Sequence, residues 1–154
     1  MSSDSIIPPL ASHGKLALDE AELSDWGRRF GRMVDPPLLV TITGELGAGK
    51  TTLVRAICRG YGVTEDVTSP TFALVHRYEA PKSPVYHLDL YRLERSDDLT
   101  NIGWDDVLAE EALVLVEWPE RAGARLPQDH VPLSLQHLPD DPSRRLLYAG
   151  GHQA

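Results

Sequence analysis

The sequence predicts an α/β fold whose sheet is partly parallel and partly antiparallel. Three observations lead to this prediction. A strand-like run at residues 38–43 leads through a glycine-rich loop into a helical run at 50–59. Residues 112–116, Ala-Leu-Val-Leu-Val, form a near-continuous apolar run of the kind buried on both faces of a sheet. The last part of the chain carries further strand-like runs at 131–138 and 145–149.

The first elements are a short strand and an amphipathic helix. Residues 15–18 are strand-like, and Asp19 with Glu22 three positions later forms a capping-box pattern that begins a helix. Apolar residues then recur at helical spacing, and Pro36-Pro37 ends the helix. The residues expected to face the core are Leu23, Trp26, Phe30 and Met33.

The central elements alternate between helix and strand. The helix over 50–59 is expected to bury one face and to stop at Gly60. Strands are predicted at 72–78 and 85–91, followed by short helical stretches over 96–111 that Gly103 interrupts. The buried face of the first of these helices comprises Leu53, Val54, Ile57 and Cys58.

Length and composition predict one globular domain. The chain has 154 residues, of which 42% are hydrophobic and 25% charged. We expect a loose tail at 1–14, a single domain over 15–150 and a short tail at 151–154. No apolar run is long enough to span a bilayer, and the N-terminus lacks the pattern of a secretory signal. These features, with a single cysteine, Cys58, predict a cytoplasmic protein without a membrane partner.

The net charge argues against unaided binding of nucleic acid. The chain carries 15 basic and 23 acidic residues, which gives a formal net charge of −8. An autonomous binder of a polyanion normally presents a basic face. Any role in RNA chemistry would therefore run through protein partners.

Residues 44–51, Gly-Glu-Leu-Gly-Ala-Gly-Lys-Thr, match the phosphate-binding pattern G-x-x-x-x-G-K-[ST]. A strand precedes the loop and a helix follows it, as the pattern requires. The glycines let successive amides point at phosphate oxygens, and the helix N-terminus adds partial positive charge. Lys50 would reach the β- and γ-phosphates, Thr51 would bind Mg²⁺, and Thr52 would add a phosphate contact. The backbone of Gly44, Glu45, Leu46, Gly47, Ala48 and Gly49 would form the cradle, with the side chains of Glu45 and Leu46 as spacers.

Two carboxylates are candidates for holding the metal or its water shell. Glu117 directly follows the apolar run 113–116, where a buried strand emerges. Strand alternation places Asp89 on the same face as His87, and an acid in so apolar a stretch needs a partner or a metal. A solvated strand end for Glu117 and an ion pair of Asp89 with Arg92 are the structural alternatives. His87 itself is interpreted as a satisfied structural histidine, because no second ligand lies at metal spacing.

Two further segments have both a structural and a functional interpretation. The loop 68–72, Thr-Ser-Pro-Thr-Phe, offers hydroxyls near the expected position of a γ-phosphate, or forms an ordinary hydroxyl-rich turn. Trp118 caps the core or packs beside a nucleotide. Arg121 is expected to be a surface arginine.

Four blocks together resemble the TsaE family over about residues 16–149. They are Gly-Glu-Leu-Gly-Ala-Gly-Lys-Thr-Thr at 44–52, Ser-Pro-Thr-Phe at 69–72, His-Leu-Asp-Leu-Tyr-Arg-Leu at 87–93 and Val-Glu-Trp-Pro-Glu at 116–120. The first block is generic to P-loop proteins, whereas the other three together are specific to this family.

The resemblance implies a three-layer P-loop NTPase-like domain with a mixed sheet that binds ATP or ADP with Mg²⁺. It implies slow hydrolysis by the isolated chain and work with TsaB and TsaD, the latter transferring the threonylcarbamoyl group to adenosine 37 of tRNA. By position, Lys50 would hold phosphates, and Thr51 and Glu117 the magnesium. Asp89 would serve hydrolysis, Trp118 would lie near the nucleotide, and Thr71 would belong to a switch-like loop. Family members often carry Thr near the base, where this chain has Leu23 beside Ser24.

Two other functions remain open from the sequence. A small-molecule kinase shares the phosphate loop but usually carries a lid with several arginines, and Arg92, Arg95, Arg121 and Arg125 are scattered. A nucleotide-dependent adaptor without useful turnover would share every motif above. The absence of an Asn-Lys-x-Asp guanine motif favours ATP over GTP.

Overall fold

The computed structural model describes residues 15–45, 47–67, 74–95 and 97–149, which form one seven-stranded sheet with helices on both faces. The strands are β1 Lys15–Asp19, β2 Leu38–Gly44, β3 Val75–Tyr78, β4 Val85–Asp89, β5 Leu113–Glu117, β6 Val131–His137 and β7 Arg144–Tyr148. The helices are α1 Glu20–Met33, α2 Lys50–Tyr61, α3 Asp98–Asn101 and α4 Trp104–Ala109, and a 3₁₀ helix covers Pro119–Arg125.

The sheet is parallel at its centre and antiparallel at its edges. Its strand order is β1-β7-β6-β2-β5-β4-β3. Strands β6, β2, β5 and β4 pair in parallel, whereas β7 pairs antiparallel with β6, β1 with β7, and β3 with β4. The predicted mixed α/β sheet is therefore confirmed. Because the central strands are parallel, their carboxyl ends meet at one edge of the sheet, and the loop after β2 begins at that edge.

Side chains that alternate along the central strands pack into two separate hydrophobic cores. Val40, Ile42 and Leu115 point towards α1 and α2, whereas Leu39 and Val116 point towards α3 and α4. Strand β5 is buried along its whole length, as its apolar sequence predicted. The three-layer arrangement follows from this two-sided burial. No helix among the described residues is both long and apolar enough to cross a membrane.

Helix α1 begins as its sequence predicted. Asp19 accepts a hydrogen bond from the Glu22 amide at 2.8 Å, and Glu22 Oε1 accepts one from the Asp19 amide at 2.9 Å. These reciprocal bonds satisfy two donors at the helix start. One core prediction was wrong at the other end, because Met33 is exposed and Val34, just past the helix, is buried instead.

Helix α2 runs past the predicted stop at Gly60. It ends at Tyr61, and Gly62 takes the left-handed conformation that closes it. Gly60 serves close packing instead, because a Cβ atom there would lie 2.0 Å from the Arg28 carbonyl oxygen of α1. The sequence pattern identified a required glycine but not the neighbouring helix that requires it.

The boundaries of the other elements differ from the predicted boundaries by a few residues. Strand β3 is described from Val75, and the predicted strand residues 72 and 73 lie outside the described residues, as does the whole loop 68–72. Strand β4 ends at Asp89 rather than at Tyr91. Gly103 separates α3 from α4, as predicted.

We expect Gly60→Ala to lower the free energy of unfolding by about 1–3 kcal/mol, the range for overpacked sites. Alanine gains about 1 kcal/mol of helix propensity, but its methyl group meets the backbone of α1, which cannot move aside cheaply. Urea denaturation followed by circular dichroism measures the change.

Gly103→Asn is the matched control for that change. Its side chain enters open space, and Asn tolerates the positive φ of 78° at this position. An unchanged or increased stability of Gly60→Ala would contradict the close helix contact.

Candidate functional site

The glycine-rich loop joins the carboxyl end of β2 to the N-terminus of α2. Gly49 precedes the helix with φ 100°, a left-handed conformation that side chains disfavour. The turn is closed by a hydrogen bond from the Ala48 amide to the Glu45 carbonyl at 3.0 Å. The first amides of α2 therefore face the edge where the parallel strands end, a favourable position for an anion.

Lys50 is the buried cation of this loop. Its Nζ donates to the Gly44 carbonyl and, at 3.0 Å, to the Glu45 carbonyl. The same Nζ lies 4.5 Å from the ring centroid of Trp118. Burial lowers the pKa of Lys50, and the negative charges of Glu117, Asp89 and Glu120 oppose that shift.

The register of β4 and β5 places the two predicted acids opposite each other. Asp89 pairs with Glu117 across these parallel strands, and Glu117 also pairs with Ile42 of β2. Burial raises the pKa of Asp89 first, and the charge of Glu117 raises it further. The hydrogen bond that Asp89 accepts from the Tyr91 amide, 3.0 Å long, lowers the pKa, as do the charges of His87 and Lys50.

The Glu117 side chain is buried rather than exposed to solvent, and one ring nitrogen of His87 lacks a hydrogen-bond partner among the described residues. Glu117 is 3% exposed, and its Oε2 lies 2.6 Å from His87 Nε2. The second ring nitrogen of His87, Nδ1, is buried without a hydrogen-bond partner among the described residues. The prediction of a satisfied structural histidine was therefore wrong in part. Its place beside Asp89 on one strand face was the available signal.

Trp118 has the first of the two roles that the sequence left open, because it covers a core, while its place beside a nucleotide stays a prediction. Its ring packs against the second core and lies 4.9 Å from the Tyr91 ring. Its backbone is left-handed, with φ 58°, an uncommon and costly conformation for a bulky residue. Arg121 is exposed, as predicted, and donates to the Leu93 carbonyl at 3.1 Å.

These elements enclose a cavity of about 560 Å³, a volume in the range of small-molecule sites. Most of the predicted site residues line it: Gly47, Ala48, Gly49, Lys50, Thr51, Thr52, Asp89, Glu117 and Trp118. Gly44 and Glu45 line a neighbouring cavity of about 540 Å³ that shares Trp118. Leu46 and Thr71 lie outside the described residues.

Apart from Leu23, which the family resemblance had placed near the base, the opposite wall was missed by the sequence prediction. It consists of Leu18, Asp19, Glu20, Leu23, Pro142, Ser143 and Arg145, together with Tyr91 near Trp118. Antiparallel pairing of β1 with β7 brings Leu18 beside Arg145. Arg145 Nη2 lies 3.4 Å from the Gly47 carbonyl, and its Nε is buried with no hydrogen-bond partner in the described part of the chain. Leu23 lines the cavity, whereas Ser24 lines a smaller one between α1 and α2.

The oxygen donors of this cavity fit a hard divalent cation. The Thr51 hydroxyl and the Glu117 carboxylate line the same space, with Asp89 beside them. Magnesium is usually bound by one or two protein carboxylates together with water and substrate phosphates. The donor set is therefore suitable for Mg²⁺ bound with a phosphate ligand.

The fold and the loop define an α/β protein of the P-loop NTPase type. The family model described as "Threonylcarbamoyl adenosine biosynthesis protein TsaE" matches residues 17–146. The TsaE protein of Treponema pallidum is 36% identical over 115 residues, which cover 75% of this chain and 84% of that protein. The TsaE protein of Haemophilus influenzae is 32% identical over 127 residues, covering 79% and 80% of the two chains. The crystal structure of Bacillus subtilis YdiB superposes with a TM-score of 0.74 at 25% identity and covers 90% of this chain and 85% of its own. The chain belongs to the TsaE family.

We expect Asp89→Asn to increase the free energy of unfolding at neutral pH. Because the pKa of Asp89 is raised in the folded protein, the folded state holds this proton more tightly than the unfolded state. Wild-type stability therefore falls as the pH rises from the ordinary aspartate range, near 4, through the raised pKa of Asp89. The stability difference between variant and wild type should grow across that window and vanish below it.

Urea denaturation at a series of pH values tests this expectation. Asp66→Asn, at an exposed position, controls for the loss of one negative charge. If the free energies of unfolding of Asp89→Asn and wild type differed most at acid pH, the raised pKa of Asp89 would be contradicted.

Proposed function

We propose that this chain binds ATP and ADP with Mg²⁺ and hydrolyses ATP in support of threonylcarbamoyladenosine formation in tRNA. The observation that carries the proposal is convergence on one cavity. The loop amides, Lys50 and Thr51 approach it from α2, while Asp89 and Glu117 approach it from β4 and β5. A cation, a helix N-terminus and two carboxylates around one space are the components that Mg²⁺-dependent phosphoryl chemistry requires.

Each residue has a role that its surroundings favour. Lys50 and the amides before α2 would hold the phosphates, and Thr51 and Glu117 would hold the magnesium, which neutralises phosphate charge when bound. Asp89 would orient or deprotonate the attacking water, because a half-buried carboxylate with a raised pKa is a better proton acceptor. Trp118, stacked near Lys50, would exclude solvent from the phosphate end of the cavity.

The partners are inferred from the family and from the charge. The relatives carry names in tRNA threonylcarbamoyladenosine biosynthesis. We propose that TsaB and TsaD are the partners, and that ATP turnover drives or resets their assembly in the cytoplasm. With a net charge of −8, this chain would meet tRNA only indirectly through that complex.

The kinase alternative gains no support from the four arginines that the sequence offered for a lid. None of Arg92, Arg95, Arg121 and Arg125 lines the cavity. Arg125 instead pairs with Asp105 at 3.2 Å on the surface. A nucleotide-dependent adaptor differs from the proposed ATPase only in turnover, so the second experiment below separates the two.

Lys50→Ala should weaken the binding of Mg·ATP at least 100-fold in isothermal titration calorimetry. The variant removes the cation that lies among Glu117, Asp89 and the loop carbonyls, leaving two carboxylates to repel the phosphates. Lys82→Ala removes a lysine that pairs with Asp35 far from the loop, and should bind as wild type does. Unchanged affinity in Lys50→Ala would rule out this cavity as the phosphate site.

Steady-state ATP hydrolysis, measured with and without TsaB and TsaD, should rise when both partners are present. Asp89→Ala should lower the stimulated rate by about 100-fold, the usual scale for loss of a catalytic acid–base group. Glu117→Ala, which removes a proposed magnesium ligand, should lower the stimulated rate by a similar factor. Equal low rates in every mixture, with nucleotide binding intact, would favour the adaptor function.

A further inference from the structure

The contact between His87 and Glu117 is the most deeply buried polar pair of side chains near the cavity. Their side chains are 0% and 4% exposed, and His87 Nε2 lies 2.6 Å from Glu117 Oε2. With the carboxylate oxygen as acceptor, the donor is the Nε2–H group of the corresponding His87 tautomer. His87 does not line the cavity, whereas Glu117 does. The histidine therefore contacts the carboxylate from outside the cavity.

The sheet register makes this contact available. Because Asp89 is opposite Glu117, His87 lies one alternation back on the same face of β4, diagonal to Glu117. Diagonal neighbours in a sheet are within reach of long side chains. The imidazole thus reaches from β4 to the Glu117 carboxylate on β5 without occupying the cavity that Asp89 and Glu117 line.

Packing does not account for a histidine at this position. Its Nδ1 is buried without a partner in the described ranges, although buried polar atoms are normally paired. A leucine of similar size would fill the position without leaving a polar atom unsatisfied. What the histidine adds, and a leucine would not, is the Nε2 donor to Glu117.

Without that donor, Glu117 has another charged neighbour. Glu117 is the carboxylate with the largest electrostatic influence on Lys50. An untethered carboxylate could rotate towards the Lys50 ammonium and form an ion pair with it. Such a pair would remove both the metal ligand and the phosphate cation from use.

We propose that His87 is a positioning residue that fixes Glu117 through Oε2 and leaves Oε1 for magnesium or its water. This inference rests on the proposed function only in naming magnesium as the ion. Partners that orient a metal-binding carboxylate commonly change metal affinity 10- to 100-fold when they are removed.

The first test measures ADP affinity by calorimetry with Mg²⁺ and with EDTA in each variant. In His87→Leu, the ratio of the two affinities should fall about tenfold relative to wild type. His87→Gln, whose amide nitrogen reaches close to the Nε2 position, should restore the ratio to within about threefold, whereas the shorter His87→Asn should not. His76→Gln is the matched control, because His76 pairs with His87 across β3 and β4 and bonds to Tyr78 instead.

Circular dichroism shows whether each variant is folded, and the Gln and Asn variants decide the test if the Leu variant is not. Equal ratios in the Gln and Asn variants, or a folded Leu variant with the wild-type ratio, would overturn the proposal.

The second test needs no nucleotide. In ¹⁵N-edited NMR of the free protein, His87 Nε2 should carry a slowly exchanging proton that shifts in Glu117→Gln. An unprotonated Nε2 would overturn the proposal even if nucleotide binds as expected. If the protein bound no nucleotide but showed this proton, the proposed function would fail while the positioning of Glu117 stood.

Discussion

Two carboxylates face each other across β4 and β5, and the rest of the site depends on offsetting their charge. Asp89 and Glu117 occupy opposite positions at the carboxyl ends of adjacent parallel strands. Burial disfavours the ionised form of Asp89 and raises its pKa, and the like charge of Glu117 raises that pKa further. Lys50 provides the compensating charge, since both acids oppose the burial-induced fall of its pKa. The loop after β2 delivers this lysine because β2 is the next strand in the sheet.

The helices and the antiparallel edge hold that charge arrangement in place. Gly60 lets α2 approach the backbone of α1 closely, so the helix that begins at Lys50 is packed along its far end. From the other side, Arg145 of β7 reaches the carbonyl of Gly47. Asp89 and Glu117 line one side of the cavity. The other side is formed by β1, the start of α1 and the segment before β7. The cavity therefore depends on the order of the strands in the sheet as well as on the phosphate loop.

Local patterns in the sequence predicted the parts of the site that are built from local structure. The glycine-rich loop, the capping box of Asp19 and Glu22 and the alternation along β4 all involve residues within one element or turn. Sheet register and helix packing are set by contacts between distant segments. For this reason the sequence pattern predicts a helix stop at Gly60, and it predicts neither the contact of His87 with Glu117 nor the place of Arg145 in the cavity wall. The family resemblance pointed to Glu117 and Asp89 together, but only the register shows that they are opposite each other.

A crystal structure with ADP and Mn²⁺, with the metal located by anomalous scattering, tests the central claim most directly. We expect a manganese peak at coordination distance from the Thr51 hydroxyl, with Glu117 in its inner or water-mediated shell and the β-phosphate on Lys50. The adenosine should extend towards Leu23 and Arg145 along the cavity. A nucleotide bound in the neighbouring cavity beside Glu45 and Glu120, or a metal remote from Glu117, would contradict this assignment of the nucleotide and metal sites.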